Sequence, residues 1–127
     1  QELFNFSIEQ QQAFSFLLAK RKAFDYEPSA AQGLLALLSV EKQTTVIEIV
    51  LRQHLKNSQW QAFYNWLHLL PASERLSNRW QYWQARYYQQ SDKPKDLYLP
   101  IYQKLALTRG YYGFLSADFL DKPYSLE

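Results

Sequence analysis

Apolar residues along this chain recur at helical rather than alternating spacing, almost from end to end. Ala13, Phe16, Leu17 and Phe24 share one stripe of a helix predicted from Ser7 to Phe24, with Ser7 as N-cap and Gln10 as its capping-box partner. Asp25-Tyr26-Glu27-Pro28 breaks the pattern, because Pro28 disfavours helix at Glu27 and can itself open the next turn. A short Leu- and Ala-rich helix follows from Ser29 to Ser39. Gly33 inside it is unfavourable relative to Ala, which predicts a close helix crossing there.

Ile47, Val50, Leu51, His54 and Leu55 define the next stripe, ended by Asn57-Ser58. Trp60, Phe63, Tyr64 and Leu67 restart the rhythm up to Leu70-Pro71. Ser73 or Ser77 is expected to cap a fifth helix, with Leu76, Trp80, Trp83 and Tyr87 on one side. Beyond Ser91-Asp92-Lys93-Pro94, a helix from Leu97 to Arg109 carries Tyr98, Ile101, Tyr102 and Leu105 on one face. Pro100 either sits in its first turn or kinks it, and Gly110 is expected as the C′ residue that ends it. A last helix is predicted from Tyr112 to Leu120, stopped by Asp121-Lys122-Pro123.

The pattern therefore predicts an all-α fold: an irregular superhelical stack, or α-solenoid, of about seven short antiparallel helices. Short connections make sequence neighbours antiparallel, and hairpins of this kind stack. No strict repeat of about 34 or about 40 residues can be laid over the chain, so any repetition is of architecture and not of residues.

Composition narrows the picture. With 127 residues the chain is expected to be one domain or a compact piece of a larger protein, and its lack of an initial Met favours a piece. Only 3 glycines are present while 47% of residues are hydrophobic, a balance that suits a helical core better than a turn-rich sandwich or barrel. The longest apolar run, Leu34-Leu35-Ala36-Leu37-Leu38, is far short of the roughly 20 residues that span a bilayer. Gln1-Glu2-Leu3 lacks a basic region followed by an apolar stretch, so no signal peptide is visible here, and in a piece of a larger protein that says little about targeting. A net charge of +2 is too small to drive phosphate binding, which argues against nucleic acid as partner.

Candidate chemistry is sparse. Cysteine is absent, so thiol chemistry, disulfides and cysteine-bearing zinc sites are excluded. His54 falls on an apolar stripe, where a buried, hydrogen-bonded histidine is expected; His68 adjoins Leu67 and Leu69 without an acidic neighbour. No glycine-rich phosphate loop, His-Glu-x-x-His or Gly-x-Ser-x-Gly motif occurs, and no cofactor is expected. The carboxylates are scattered; Asp118, within an aromatic segment, is the one to weigh as a general acid, against the simpler expectation that it faces water. Sixteen of the 22 aromatic residues lie from Trp60 onward, more than one core stripe can hide. On the fifth helix Arg75, Arg79, Tyr82 and Arg86 form a second line beside the tryptophan stripe. Guanidinium forks and a ring along one face form a candidate surface for a glycan or other partner, against a simple solvated face.

The second half also resembles a known family. Trp80-Gln81-Tyr82-Trp83-Gln84-Ala85-Arg86 is similar to a helix signature in the superhelical linker region of soluble lytic murein transglycosylases, and Trp60 to Leu67 followed by Leu70-Pro71 resembles the helix before it. Tyr102-Gln103-Lys104-Leu105-Ala106 and the run Arg109 to Asp118 resemble the paired segments that close that region. The resemblance implies that residues 44–127 are a linker-type superhelical segment, that residues 1–43 end the preceding superhelical region, and that the catalytic lysozyme-like domain is not in this chain. It implies further that Trp80, Trp83 and Ala85 form a packed seam, that Gly110 and Gly113 let the last two helices meet at a tight corner before Tyr124 packs down, and that Tyr112 belongs to the same structural motif. The family's catalytic Glu-Ser pair has no counterpart here, so no residue receives a catalytic role. The function implied is a non-catalytic segment of a periplasmic peptidoglycan lytic transglycosylase. It would position murein glycan strands for its own separate catalytic domain. The alternative, from another class, is a tetratricopeptide-like solenoid that captures a protein partner.

Overall fold

A computed structural model describes residues 6–120. Among these residues the fold is all α, with eight helices and no strand: α1 (Ile8–Phe24), α2 (Pro28–Leu35), α3 (Val40–Lys56), α4 (Trp60–Leu67), α5 (Ala72–Arg75), α6 (Asn78–Gln90), α7 (Lys95–Ala106) and α8 (Tyr111–Leu120). They form two compact units, one reaching to Gln59 and the other starting at Trp60. The boundary expected at residues 43/44 lies inside α3. Asp121-Lys122-Pro123 and Tyr124 lie outside the described residues.

In the first unit, α1 begins as its sequence predicts. The Gln10 amide donates to Ser7 Oγ at 3.0 Å while the Gln10 side chain accepts from Ser7 N–H at 2.9 Å, a complete capping box. The buried face of α1 is not the predicted stripe, however. Ala13, Leu17 and Phe24 are exposed and Phe16 is half-buried, whereas Ala19 and Ala23 are buried. Small residues win that face because α1 packs against both α2 and α3, and alanine lets helix backbones approach. On α3 the predicted stripe holds: Ile47, Val50, Leu51 and His54 are buried, joined by Val46 and Ile49.

The second helix stops at Leu35, short of Ser39, which instead caps α3 by accepting from Lys42 N–H. Gln43 secures the intervening turn by donating to the Leu35 and Leu38 carbonyls at 2.9 and 3.0 Å. Gly33 marks no crossing. It is exposed, and a Cβ placed on it would meet nothing within 4 Å.

With so few glycines, helix ends use other residues. Tyr26, Ser58 and Asp92 take φ of 57°, 56° and 55°. After each, the next amide donates back five residues: Glu27 to Lys22, Gln59 to His54 and Lys93 to Tyr88. These are Schellman closures of α1, α3 and α6, built without the usual glycine.

In the second unit, α6 packs against α4 on one side and α7 on the other. Trp80 is 1% exposed and its ring lies 6.1 Å from that of Phe63. Tyr64 stacks on Tyr87 at 4.2 Å, and Tyr87 donates to Gln61 Oε1 at 3.2 Å. On the opposite side Tyr82, Ala85, Tyr102 and Leu105 form a core cluster, with Trp83, Tyr98, Ile101, Tyr112 and Leu115 packed around it. Leu76, assigned to the tryptophan stripe by spacing, is exposed, because the separate helix α5 ends just before it. Pro100 lies in the second turn of α7 and not in the first, which withdraws the N–H that the Asp96 carbonyl would otherwise accept. Gly110 does not end α7, whose last helical residue is Ala106; with φ of 102° it starts α8, and its carbonyl accepts from Phe114 N–H. Gly113 sits where α8 meets the end of α7, and an added Cβ would collide with the Thr108 carbonyl.

Candidate functional site

The four residues Arg75, Arg79, Tyr82 and Arg86 occupy three different environments. Tyr82 is 4% exposed, because α6 is covered on that side by α7. Its ring meets those of Tyr102, Trp83 and Tyr112 at 5.8, 5.2 and 5.5 Å. Arg86, half-buried one turn later, donates to the Tyr82 hydroxyl at 2.9 Å and lies over the Tyr82 and Trp83 rings at 5.8 Å each. Arg75, on α5, donates to the Leu70 carbonyl at 3.2 Å and so ties the α4–α5 turn. Arg79 is exposed. The structure thus brings Tyr82 and Arg86 together in an aromatic cage, sets Arg75 against backbone, and leaves Arg79 toward solvent.

Three residues of the expected seam lie on α6. Trp80 and Ala85 are buried on opposite sides of α6, and Trp83 is half-buried with its ring 6.4 Å from that of Trp60. Tyr102 anchors the second cluster. It is fully buried and donates to Gln89 Oε1 at 2.8 Å, and burial raises its hydroxyl well above the usual tyrosine range. Tyr64 is pushed up to about 12, first by its hydrogen bond with Tyr88 and then by burial. These phenols stay protonated at any physiological pH and act as neutral packing and hydrogen-bonding groups.

His54 is buried, as its stripe predicts, with Nδ1 2.8 Å from the Tyr26 hydroxyl. Desolvation lowers its pKa below the ordinary 6.5, so the imidazole is neutral near pH 7. His68 is exposed, with Nδ1 2.9 Å from the Tyr64 carbonyl. Asp118 is exposed on α8, away from the dry setting a general acid requires. Among the described residues no carboxylate is buried and no cluster of His, Asp and Glu can hold a metal. Nor is any described helix long and apolar enough to cross a membrane. Spacing alone missed the two-sided burial of α6. The signal lay in the aromatic density that its sequence shares with α7, where Tyr98 and Tyr102 supply partners for a second face.

Comparison with solved structures finds a likeness to this helical arrangement. The chain aligns with the X-ray structure of an inactive mutant of lytic transglycosylase Slt from Pseudomonas aeruginosa, at 32% identity and a TM-score of 0.68 over 96% of its length. It is similar to one fifth of that enzyme. No protein-family model and no curated protein sequence matches the chain. The identity and the extent of the match support a relationship to lytic transglycosylases. The chain spans about 20% of the Slt structure's own length.

Proposed function

We propose that this chain is a non-catalytic helical segment of a larger periplasmic lytic transglycosylase, which holds murein glycan strands for a separate catalytic domain. The observation that carries the reading is the alignment of 96% of the chain, at 32% identity, with a fifth of lytic transglycosylase Slt. The side chains agree with it. Their aromatic groups fill helix seams, and the described carboxylates lie in the wet settings of structural residues. Within this reading residues 44–127 are the linker-type segment and residues 1–43 end the preceding region. Arg79, exposed on α6, is the member of the Arg line best placed to meet a glycan, and Arg86 is committed to the Tyr82 cage.

Co-sedimentation with purified murein sacculi tests the proposal. The chain is expected to pellet with sacculi at low salt, with Arg79→Ala retained less. A chain that stays in the supernatant at every salt concentration would remove the glycan-holding role.

A further inference from the structure

Two consecutive residues of α3 hold the corner between α1 and α2. Gln53 donates to the Phe24 carbonyl at 3.0 Å, and His54 Nδ1 lies 2.8 Å from the Tyr26 hydroxyl. The Tyr26 and His54 rings also meet edge to face, with centroids 5.3 Å apart. The two ties differ in kind. The Gln53 bond lies at the surface, where water can replace it, whereas His54 is only 3% exposed. Tyr26 is half-buried and stands at φ of 57°, a left-handed conformation that a residue with a side chain adopts at a cost. Glu27 N–H donates back to the Lys22 carbonyl, and Ala31 N–H to the Glu27 carbonyl, so the start of α2 is built on this corner.

The surroundings make this contact sensitive to a proton. Helix α2 carries no charged residue. The carboxylates of the corner, Asp25 and Glu27, are already paired with Arg21 at 3.0 Å and Lys22 at 3.7 Å. Along α3, exposed Arg52 and Lys56 stand two residues to either side of His54. Glu48 lies about 9 Å back along the same helix axis. Tyr26 is a neutral phenol whose burial raises its pKa further. Desolvation is what disfavours charge on His54, so an imidazolium gains most when its ring reaches water.

We infer that protonation of His54 releases the α1–α2 corner from α3, a latch that opens residues 25–28 in mild acid while the helices stay formed. Departure of the Tyr26 ring uncovers the imidazolium and lets Tyr26 relax from its left-handed conformation. The remaining tie, from Gln53, is one that water can replace. Ala19, Ala23 and Ala31, buried and without a titrating group, still hold α1 and α2 in the unit. The inference stands on the geometry of the first unit and does not depend on the murein reading.

Amide hydrogen exchange of the whole chain tests the latch, measured from about pH 7.5 to about pH 5 and corrected for the intrinsic exchange rate at each pH. The Tyr26 and Glu27 amides should be less protected than those of Val50 and Leu51 throughout. Their protection should fall at least about tenfold toward the acid end. His54→Gln, which keeps a neutral group in hydrogen-bond reach of Tyr26, should abolish that fall. Tyr26→Phe should lower protection at Glu27 already at neutral pH. Corner amides as protected as Val50 and Leu51 would mean that the corner opens only when the whole unit unfolds, which overturns the latch. Low protection that ignores pH, or a fall that survives in His54→Gln, overturns it equally. The parent chain alone decides the first two of these outcomes.

Discussion

Tyr102 shows how much one side chain carries in the second unit. Its ring sits against Tyr82, Tyr98 and Phe119, and its hydroxyl has a single partner at 2.8 Å in Gln89. Tyr102→Phe keeps the packing but strands the Gln89 oxygen, so it should lower unfolding stability by about 1 kcal/mol in a urea melt. His54 acts through protons. Its folded pKa lies below the unfolded value of 6.5, so the unfolded chain binds more protons in between. The stability contributed by neutral His54 is complete above pH 6.5 and falls as pH drops below that value. Urea midpoints measured from about pH 7.5 down to about pH 5 should therefore decline, and His54→Leu should flatten the part of the decline that belongs to this group. The burial of His54 was legible from its place on the Ile47–Leu51 stripe. Its bond to Tyr26 was not, since Tyr26 stands in a left-handed helix end that no local pattern announces.

Helices in this chain are set by caps and by small residues as much as by stripes. The Ser7–Gln10 box could be read directly, because its geometry is local. The stripe on α1 could not. Apolar residues surround that helix, and which face is covered depends on where α2 and α3 lie. Gly33 and Gly113 carry the same difficulty into a prediction, since one substitution should act with opposite signs at the two sites. At Gly33 a methyl group meets open space, so Gly33→Ala should stabilise by about 0.5–1 kcal/mol through helix propensity and a less flexible unfolded chain. At Gly113 the methyl would strike the Thr108 carbonyl, a backbone atom that cannot swing aside. Gly113→Ala should destabilise by about 1–3 kcal/mol as α8 is forced off α7. Thermal melts of the two variants on opposite sides of the parent would confirm both placements; a shift in the same direction would refute one. Buried Ser116 and Ala117 lie on the same face of α8 as Gly113, which explains why a helix this apolar approaches its neighbour through its smallest residues.

At the scale of the molecule, the all-α architecture was legible because helical spacing survives in nearly every segment while glycine is scarce. What escaped was the environment of α6. Spacing placed Tyr82 and Arg86 on an outer line, yet a helix held between two neighbours has two inward faces, and these residues furnish the second. That distinction bears on function, because a residue turned into a cage cannot also grip a polymer. The same physics bears on the proposed non-catalytic role. A glycosidase acid needs a carboxyl group kept protonated by a dry pocket, and among the described residues every Asp is exposed and no Glu is buried. Incubated with sacculi, the chain should bind them and release no anhydromuropeptides, as measured by chromatography of the supernatant. Release of such products by the purified chain would place catalysis within it and would require a carboxylate in a setting that none of the described acids occupies.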